Sequence, residues 1–242
     1  MEKQHALQRL EQLQKKLYAI HYACSAMNLD ADTVAPKNTS EGRGVALGVL
    51  AGEEQQLMIC PETRALLDEL DRQKDELDLL HRREVEELRR RCDQLTRIPA
   101  EEYIAYSELV NKAGDVWHKA KEKDDFAMFC PLLQELVEYN RKFAAYYDST
   151  RAPYDALLNE YERGVDTKML DEFFATLRQT IVPLLQKIAR KPQIDDSFLH
   201  NYYPVDKQKA FADDLMQVMG LDRGHCGLGE TGHPFTLEFN NK

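Results

Sequence analysis

The side chains of this 242-residue sequence best suited to ligate a metal or move a proton are His5, His21, His81, His118, His200, His225 and His233, together with five cysteines. Hydrolytic zinc helices carry two imidazoles one turn apart with a general-base glutamate beside the first, the pattern His-Glu-x-x-His. None of the histidines stands in it. His225-Cys226 with His233 sets borderline-soft donors on a glycine-rich stretch, yet that spacing supplies no closed tetrahedral shell. Gly227-Leu228-Gly229-Glu230-Thr231-Gly232 spells Gly-x-Gly-x-x-Gly. A dinucleotide turn needs a strand before it and a helix after it, whereas this string follows a helical pattern and leads into none. No Gly-x-Ser-x-Gly elbow and no phosphate-binding loop occur. Trp117, Tyr146-Tyr147 and Tyr202-Tyr203 read as packing aromatics, and Asp30 and Asp32 as capping and turn acids. Residue types alone thus give no catalytic residue, no metal ligand and no cofactor in this chain.

The elements that would carry such residues are almost all helices. The exception closes the chain. In Gly232-His233-Pro234-Phe235-Thr236-Leu237-Glu238-Phe239-Asn240, Phe235, Leu237 and Phe239 alternate with polar residues, the period of a strand with one buried face. A lone strand is not stable in water, and no convincing partner strand precedes it. The expectation is a polypeptide that stops one strand into a sheet belonging to sequence outside it. That segment should be exposed, poorly ordered or paired with another molecule.

Composition narrows the class. Hydrophobic residues make up 43% and charged residues 31%, a balance that suits a folded helical protein. The net charge of −10 excludes a general nucleic-acid binder, which needs a basic face. Arg82-Arg83 and Arg89-Arg90-Arg91 alternate with Glu84, Glu86 and Glu87 and read as a mixed-sign solvated face. The scattered cysteines, Cys24, Cys60, Cys92, Cys130 and Cys226, never form Cys-x-x-Cys and fit reduced thiols. With a polar N-terminus and no apolar run near the ~20 residues of a membrane span, a cytoplasmic protein with no membrane partner is expected.

The helices read in order. Leu7, Leu10, Leu13, Leu17, Ile20 and Cys24 recur at helical steps over residues near 2–28, and a break follows before Pro36. Ser40 is a candidate N-cap for a small-residue helix in which Gly42, Gly44 and Gly48 suggest close approach of another helix. Pro61 suits the first turn of the next, and residues 74–97 form a long charged segment with Leu77, Leu80, Val85, Leu88, Cys92 and Leu95 as its apolar line. Pro99 opens a helix through Trp117. Asp124-Asp125 caps another whose regular part is expected to begin at Pro131. Pro153 and Gly164 bracket a short segment. Asp166 caps a helix that Pro183 should kink and Pro192 ends, and Gly220 stops a last helix over residues 206–219. Nothing in composition divides the chain, so residues 1–242 read as a single helical domain.

Several of these segments resemble the thermostable Taq-type zinc metallocarboxypeptidases. Leu29-Asp30-Ala31-Asp32-Thr33-Val34-Ala35-Pro36, followed by Glu41-x-Arg43, is similar to that family's Trp-Asp-x-Glu-Thr-x-Met-Pro segment, with Leu29, Asp32 and Ala35 replacing the Trp, Glu and Met. Trp117, Ala120-Lys121, Asp125-Phe126, Phe129, Pro131 and Leu133 resemble its Trp-x-x-Ala-Arg…Asp-Phe-x-x-Phe-x-Pro-x-Leu run. Tyr154-Asp155-Ala156-Leu157-Leu158, Tyr161-Glu162 and Gly164 match its Tyr-Asp-x-Leu-Leu…Tyr-Glu-x-Gly segment, and Phe174 to Leu184 continue in register. His233-Pro234-Phe235-Thr236 is similar to its His-Pro-Phe-Thr motif.

The resemblance implies an all-α array, gluzincin- and neurolysin-like in its N-terminal part, with one short C-terminal strand over 233–240 starting the active-site sheet. It implies one wall of a groove in a homodimeric enzyme that uses Zn²⁺ or Co²⁺ to release C-terminal residues from peptide substrates. The family's Asp-x-Arg-x-Thr strand, His-Glu-x-x-His helix and later Glu ligand would lie past Lys242, so this chain alone is expected to be inactive. By the same analogy His233 and Phe235 bind substrate, His233 donating a hydrogen bond to substrate or to a tetrahedral oxyanion. The other reading of His233 is that it satisfies a backbone group at the turn into Pro234. The other reading of the chain is a non-catalytic helical binding or dimerisation module.

Overall fold

A computed structural model describes residues 2–36 and 38–239. Its helices are α1 (Glu2–Thr33), α2 (Ser40–Ile59), α3 (Pro61–Arg72), α4 (Leu79–Arg97), α5 (Ala100–Glu122), α6 (Phe126–Tyr147), α7 (Pro153–Tyr161), α8 (Thr167–Ala189) and α9 (Val205–Val218), with 3₁₀ turns at Lys74–Glu76 and Ser197–His200. The contacts gather into two compact units, Met1–Gly164 with Thr231–Lys242, and Val165–Glu230.

The first unit is built on the apolar faces that periodicity marks. Leu10, Leu13 and Leu17 of α1 meet Met58 of α2, Leu66, Leu67 and Leu70 of α3, and Val85, Cys92 and Leu95 of α4 in one core. Burying each such leucine is worth about 1.5–3 kcal/mol before entropy is counted. A second cluster joins α5 and α6 through Leu109, Ala113 and Leu132, with Phe129 and Leu136 against it. Between α2 and α5 the backbones come close along a glycine stripe. A Cβ on Gly44, Gly48 or Gly52 would meet Asn111, Glu108 or Ile104 at 3.0, 2.9 and 3.1 Å, so the stripe runs antiparallel to α5, whereas Gly42 faces open space.

Punctuation follows the sequence in most places. The Asp125 carboxylate accepts from Met128 N at 3.2 Å and that of Asp166 from Met169 N at 2.8 Å, capping α6 and α8. Gly220, at φ 73°, closes α9, with Leu221 N donating to Met216 O and Gly220 N to Gln217 O, a Schellman turn.

Four local expectations are corrected. The first helix continues to Thr33, and Ser40 is helical, with Thr39 in the N-cap position. Residues 74–97 are split, because the Asp78 side chain accepts from His81 N and restarts the helix there. That resets the helical phase, so Leu77 is buried while Leu80 turns outward. Helix α6 begins at Phe126 rather than Pro131. Proline so near the start removes only the hydrogen bond to Ala127 O, and the Asp125 cap holds the first turn.

The closing strand is also corrected. Among the described residues there is no strand, and 233–239 form irregular backbone; Asn240 lies outside the described residues. The physical reason is the missing partner, since alternation selects a face but supplies no ladder hydrogen bonds. Side chains hold the segment instead. The Tyr18 hydroxyl donates to Phe239 O, and the Tyr22 and Phe239 rings sit 4.9 Å apart. Phe235 and Leu237 stay 39% and 37% exposed, in keeping with an unpaired segment.

In the second unit, α8 contains no buried residue. Its Phe173, Phe174, Ile181, Leu184, Leu185 and Ile188 are exposed, and Pro183 lies inside the helix. Met216 is the buried side chain of α9. Among the described residues, no helix is long and apolar enough to cross a membrane.

Candidate functional site

Helices α1, α2 and α5 enclose a cleft of about 530 Å³ in the first unit. The glycine stripe brings α2 onto α5, and α1 crosses with its last turns, so polar residues far apart in sequence line one cavity: Asn28 and Asp32, Arg43 and Glu54, Asn111, Asp115 and His118. Arg43, whose side chain is 10% exposed, donates through Nε to Asn111 Oδ1 and through Nη2 to Asp115 Oδ1, both at 2.9 Å. Asn111 in turn donates to Ser40 O at 3.0 Å, which ties the start of α2 to α5. Asp115 Oδ2 is buried without a hydrogen-bond partner among the described residues. Burial, then the charge of Glu54, pushes up both the Cys24 thiol and the Tyr103 phenol. A thiol held protonated is a weaker nucleophile than a thiolate.

At one end of this cleft, His118 Nε2 lies 3.2 Å from Asp32 Oδ1. The other ring nitrogen of His118 would be 3.3 Å from a Cβ on Gly232, so the Gly232-His233 turn rests against it. Lys121 Nζ donates to Gly232 O at 2.7 Å and stands 5.0 Å from the centre of the Trp117 ring. Trp117 meets His233 edge to face, with centroids 6.0 Å apart and planes at 88°.

His233 is exposed. Thr231 Oγ1 donates to its carbonyl at 3.3 Å, and its own N–H donates back to Thr231 Oγ1 at 3.5 Å. The turn into Pro234 is therefore satisfied by Thr231, and the His233 imidazole is left facing outward with Trp117 at its side. Phe235 follows in the same irregular segment. The sequence marks His233 and Phe235, but it reads Trp117 as a packing aromatic and Asp32 as a turn acid and gives His118 no part. The pairing of α1 with α5 that joins them has no local signal.

Among the described residues no three His, Cys, Asp or Glu side chains gather where they would hold a metal ion. His225 instead bonds Asp222 Oδ2 at 2.8 Å. The basic run of α4 also differs from a solvated face. Arg89 pairs with Asp68 and Asp71 of α3 at 2.6 and 2.9 Å, Arg90 with Glu160 of α7 at 3.1 Å, and Arg91 with Glu54 of α2. These are clasps between helices.

Fold and site together define an all-helical scaffold that presents an imidazole beside a polar cleft. The sequence matches the family described as carboxypeptidase Taq (M32) metallopeptidase over residues 9–242. Carboxypeptidase 1 of Bacillus subtilis is 36% identical over 225 residues, covering 91% of this chain and 44% of that protein. Thermostable carboxypeptidase 1 of Pyrococcus furiosus is 29% identical over 233 residues, covering 93% and 46%. The BsuCP crystal structure aligns with a TM-score of 0.90 at 34% identity, over 99% of this chain and 47% of that one. Trypanosoma cruzi metallocarboxypeptidase 1 aligns with a TM-score of 0.74 at 29% identity, over 97% and 48%. The chain belongs to the carboxypeptidase Taq (M32) metallopeptidase family, and it spans about half the length of the relatives it matches. That family is one of metal enzymes, and the described residues do not fit a metal centre.

Proposed function

We propose that this chain is the N-terminal groove-wall part of a metal-dependent carboxypeptidase that releases C-terminal amino acids from peptides. In this reading the metal ion, zinc or cobalt, is held by polypeptide outside these 242 residues, and the chain alone is inactive. The observation that carries it is α8, a 23-residue amphipathic helix with no buried residue. An apolar stripe that size is not left wet in a finished protein, because each Å² covered is worth about 25 cal/mol. A metal-bearing part of the kind the relatives' extra length allows would supply the cover.

His233 donates a hydrogen bond to the bound peptide or to the oxyanion formed during its cleavage, and Phe235 lines the peptide's path. Support comes from the exposed imidazole, its backbone already satisfied by Thr231. We place the working enzyme in the cytoplasm as a homodimer, with residues 1–242 acting as one helical domain.

The test has two arms. The purified chain, given a peptide with a free C-terminus and Zn²⁺ or Co²⁺, should release no amino acid; chelator-sensitive release would overturn the silence assigned to it. Reading the coding sequence past codon 242 should reveal a His-Glu-x-x-His codon string. A stop codon there favours the helical binding or dimerisation module, for which the same α8 face would seat a second copy.

A further inference from the structure

The geometry points to Trp117, Lys121 and the Asp32–His118 pair as positioning residues for His233, a role that rests on the proposed contact of His233 with peptide. A hydrogen-bond donor that must meet a developing charge has to be held to about 0.5 Å and 10–20°. His233 stands on irregular backbone with no ladder to fix it, so side chains must do so.

One turn of α5 supplies them. Residues 117 and 121 are four apart and 118 and 121 three apart, so all three share a helix face. Lys121 fixes the carbonyl just before His233, at 2.7 Å from Gly232 O, and its ammonium is itself located over Trp117. Trp117 places its ring perpendicular to the His233 imidazole and limits its rotation. His118 packs under Gly232 so closely that residue 232 has no room for a side chain unless His118 gives way. Asp32 holds His118 in turn: its Oδ1 lies 3.2 Å from Nε2, and the Nδ1 side of the ring faces Gly232. The last turn of α1 is thereby linked, through α5, to a segment that returns from 111 residues further along the chain.

The experiment uses the 242-residue chain labelled with ¹³C at histidine Cε1, the His233 signal being assigned by its loss in His233→Asn. Trp117, the chain's single tryptophan, lies 4.8 Å from the His118 ring and 6.0 Å from that of His233, so its ring current reaches both signals and the His233→Asn chain tells them apart. Lys121→Met should move that signal toward its position in a Trp117→Leu chain, Asp32→Asn should move it in the same direction, and Lys121→Arg should restore it. The Lys121 bond is solvent-exposed, so melting should change little, and a purely structural role would not show rescue by arginine with unchanged melting. An unmoved His233 signal in both Lys121→Met and Asp32→Asn overturns the proposal. Titration with a tripeptide bearing a free carboxylate separates the two ideas. If it shifts His233 and binds on the order of two- to tenfold more weakly to Lys121→Met, positioning and contact both stand. If it shifts nothing while Lys121→Met still displaces His233, positioning stands and the peptide contact falls.

Discussion

Gln55 shows how one buried polar side chain can close a helix that is not its own. Its amide, buried in α2, donates to Leu95 O at 3.1 Å and Ile98 O at 2.9 Å, satisfying carbonyls at the end of α4. Gln55→Leu keeps the volume but strands Ile98 O and leaves Leu95 O with the Ile98 N–H alone, and should cost about 1–3 kcal/mol in urea unfolding. Tyr147 gives a pH signature. Burial, and next the charge of Glu160, pushes its phenol up to about 12. The folded chain therefore holds that proton more tightly than the unfolded one does. The stabilisation is complete below the ordinary tyrosine range and is lost as pH rises through about 12. In Tyr147→Phe, that part of the alkaline loss of stability should disappear from a pH series of melting curves. Neither residue announces itself in the sequence: a glutamine between apolar neighbours and a tyrosine at a helix end have many fates, and only the packing selects one.

At the scale of elements, the close contact of α2 with α5 organises the cleft. Gly44 and Gly48 were legible as a sign of close approach, but Gly52 completes the stripe and Gly42 does not belong to it. The difference is angular, since positions 44, 48 and 52 share a face and 42 points elsewhere. Gly48→Leu should force the helices apart and lower stability by about 1–3 kcal/mol, checked by chemical denaturation. The cost arises because Glu108 Oε1 and Cγ would lie 2.9 and 3.0 Å from the new Cβ, and the rest of the leucine must enter the same narrow gap between α2 and α5. Caps were the most legible feature. Asp125 and Asp166 act within three residues of themselves, so the signal and the bond sit in the same window. Asp78 caps in the same way, but the charged run around it conceals the break.

For the whole molecule, the uncovered side of α8 is the clearest consequence of the amino-acid order. The chain on its own should bind a hydrophobic dye and self-associate, and replacing Phe173 and Ile181 together with lysine should reduce both, as read by dye fluorescence and sedimentation velocity. Dye binding that survives the double replacement unchanged would remove α8 from the account. The sequence by itself determined the helices, their caps at Asp125, Asp166 and Gly220, and the resemblance that the family match bears out. All are written within a few residues or in the order of short motifs, where backbone propensity and local hydrogen bonds decide. Tertiary structure alone decided that Asp32 meets His118 across 86 residues and Lys121 meets Gly232 across 111. It also decided that the alternating residues after His233 form no strand. Such pairings depend on which distant surface arrives, and a strand's period names the face to bury but not the neighbour that would bury it.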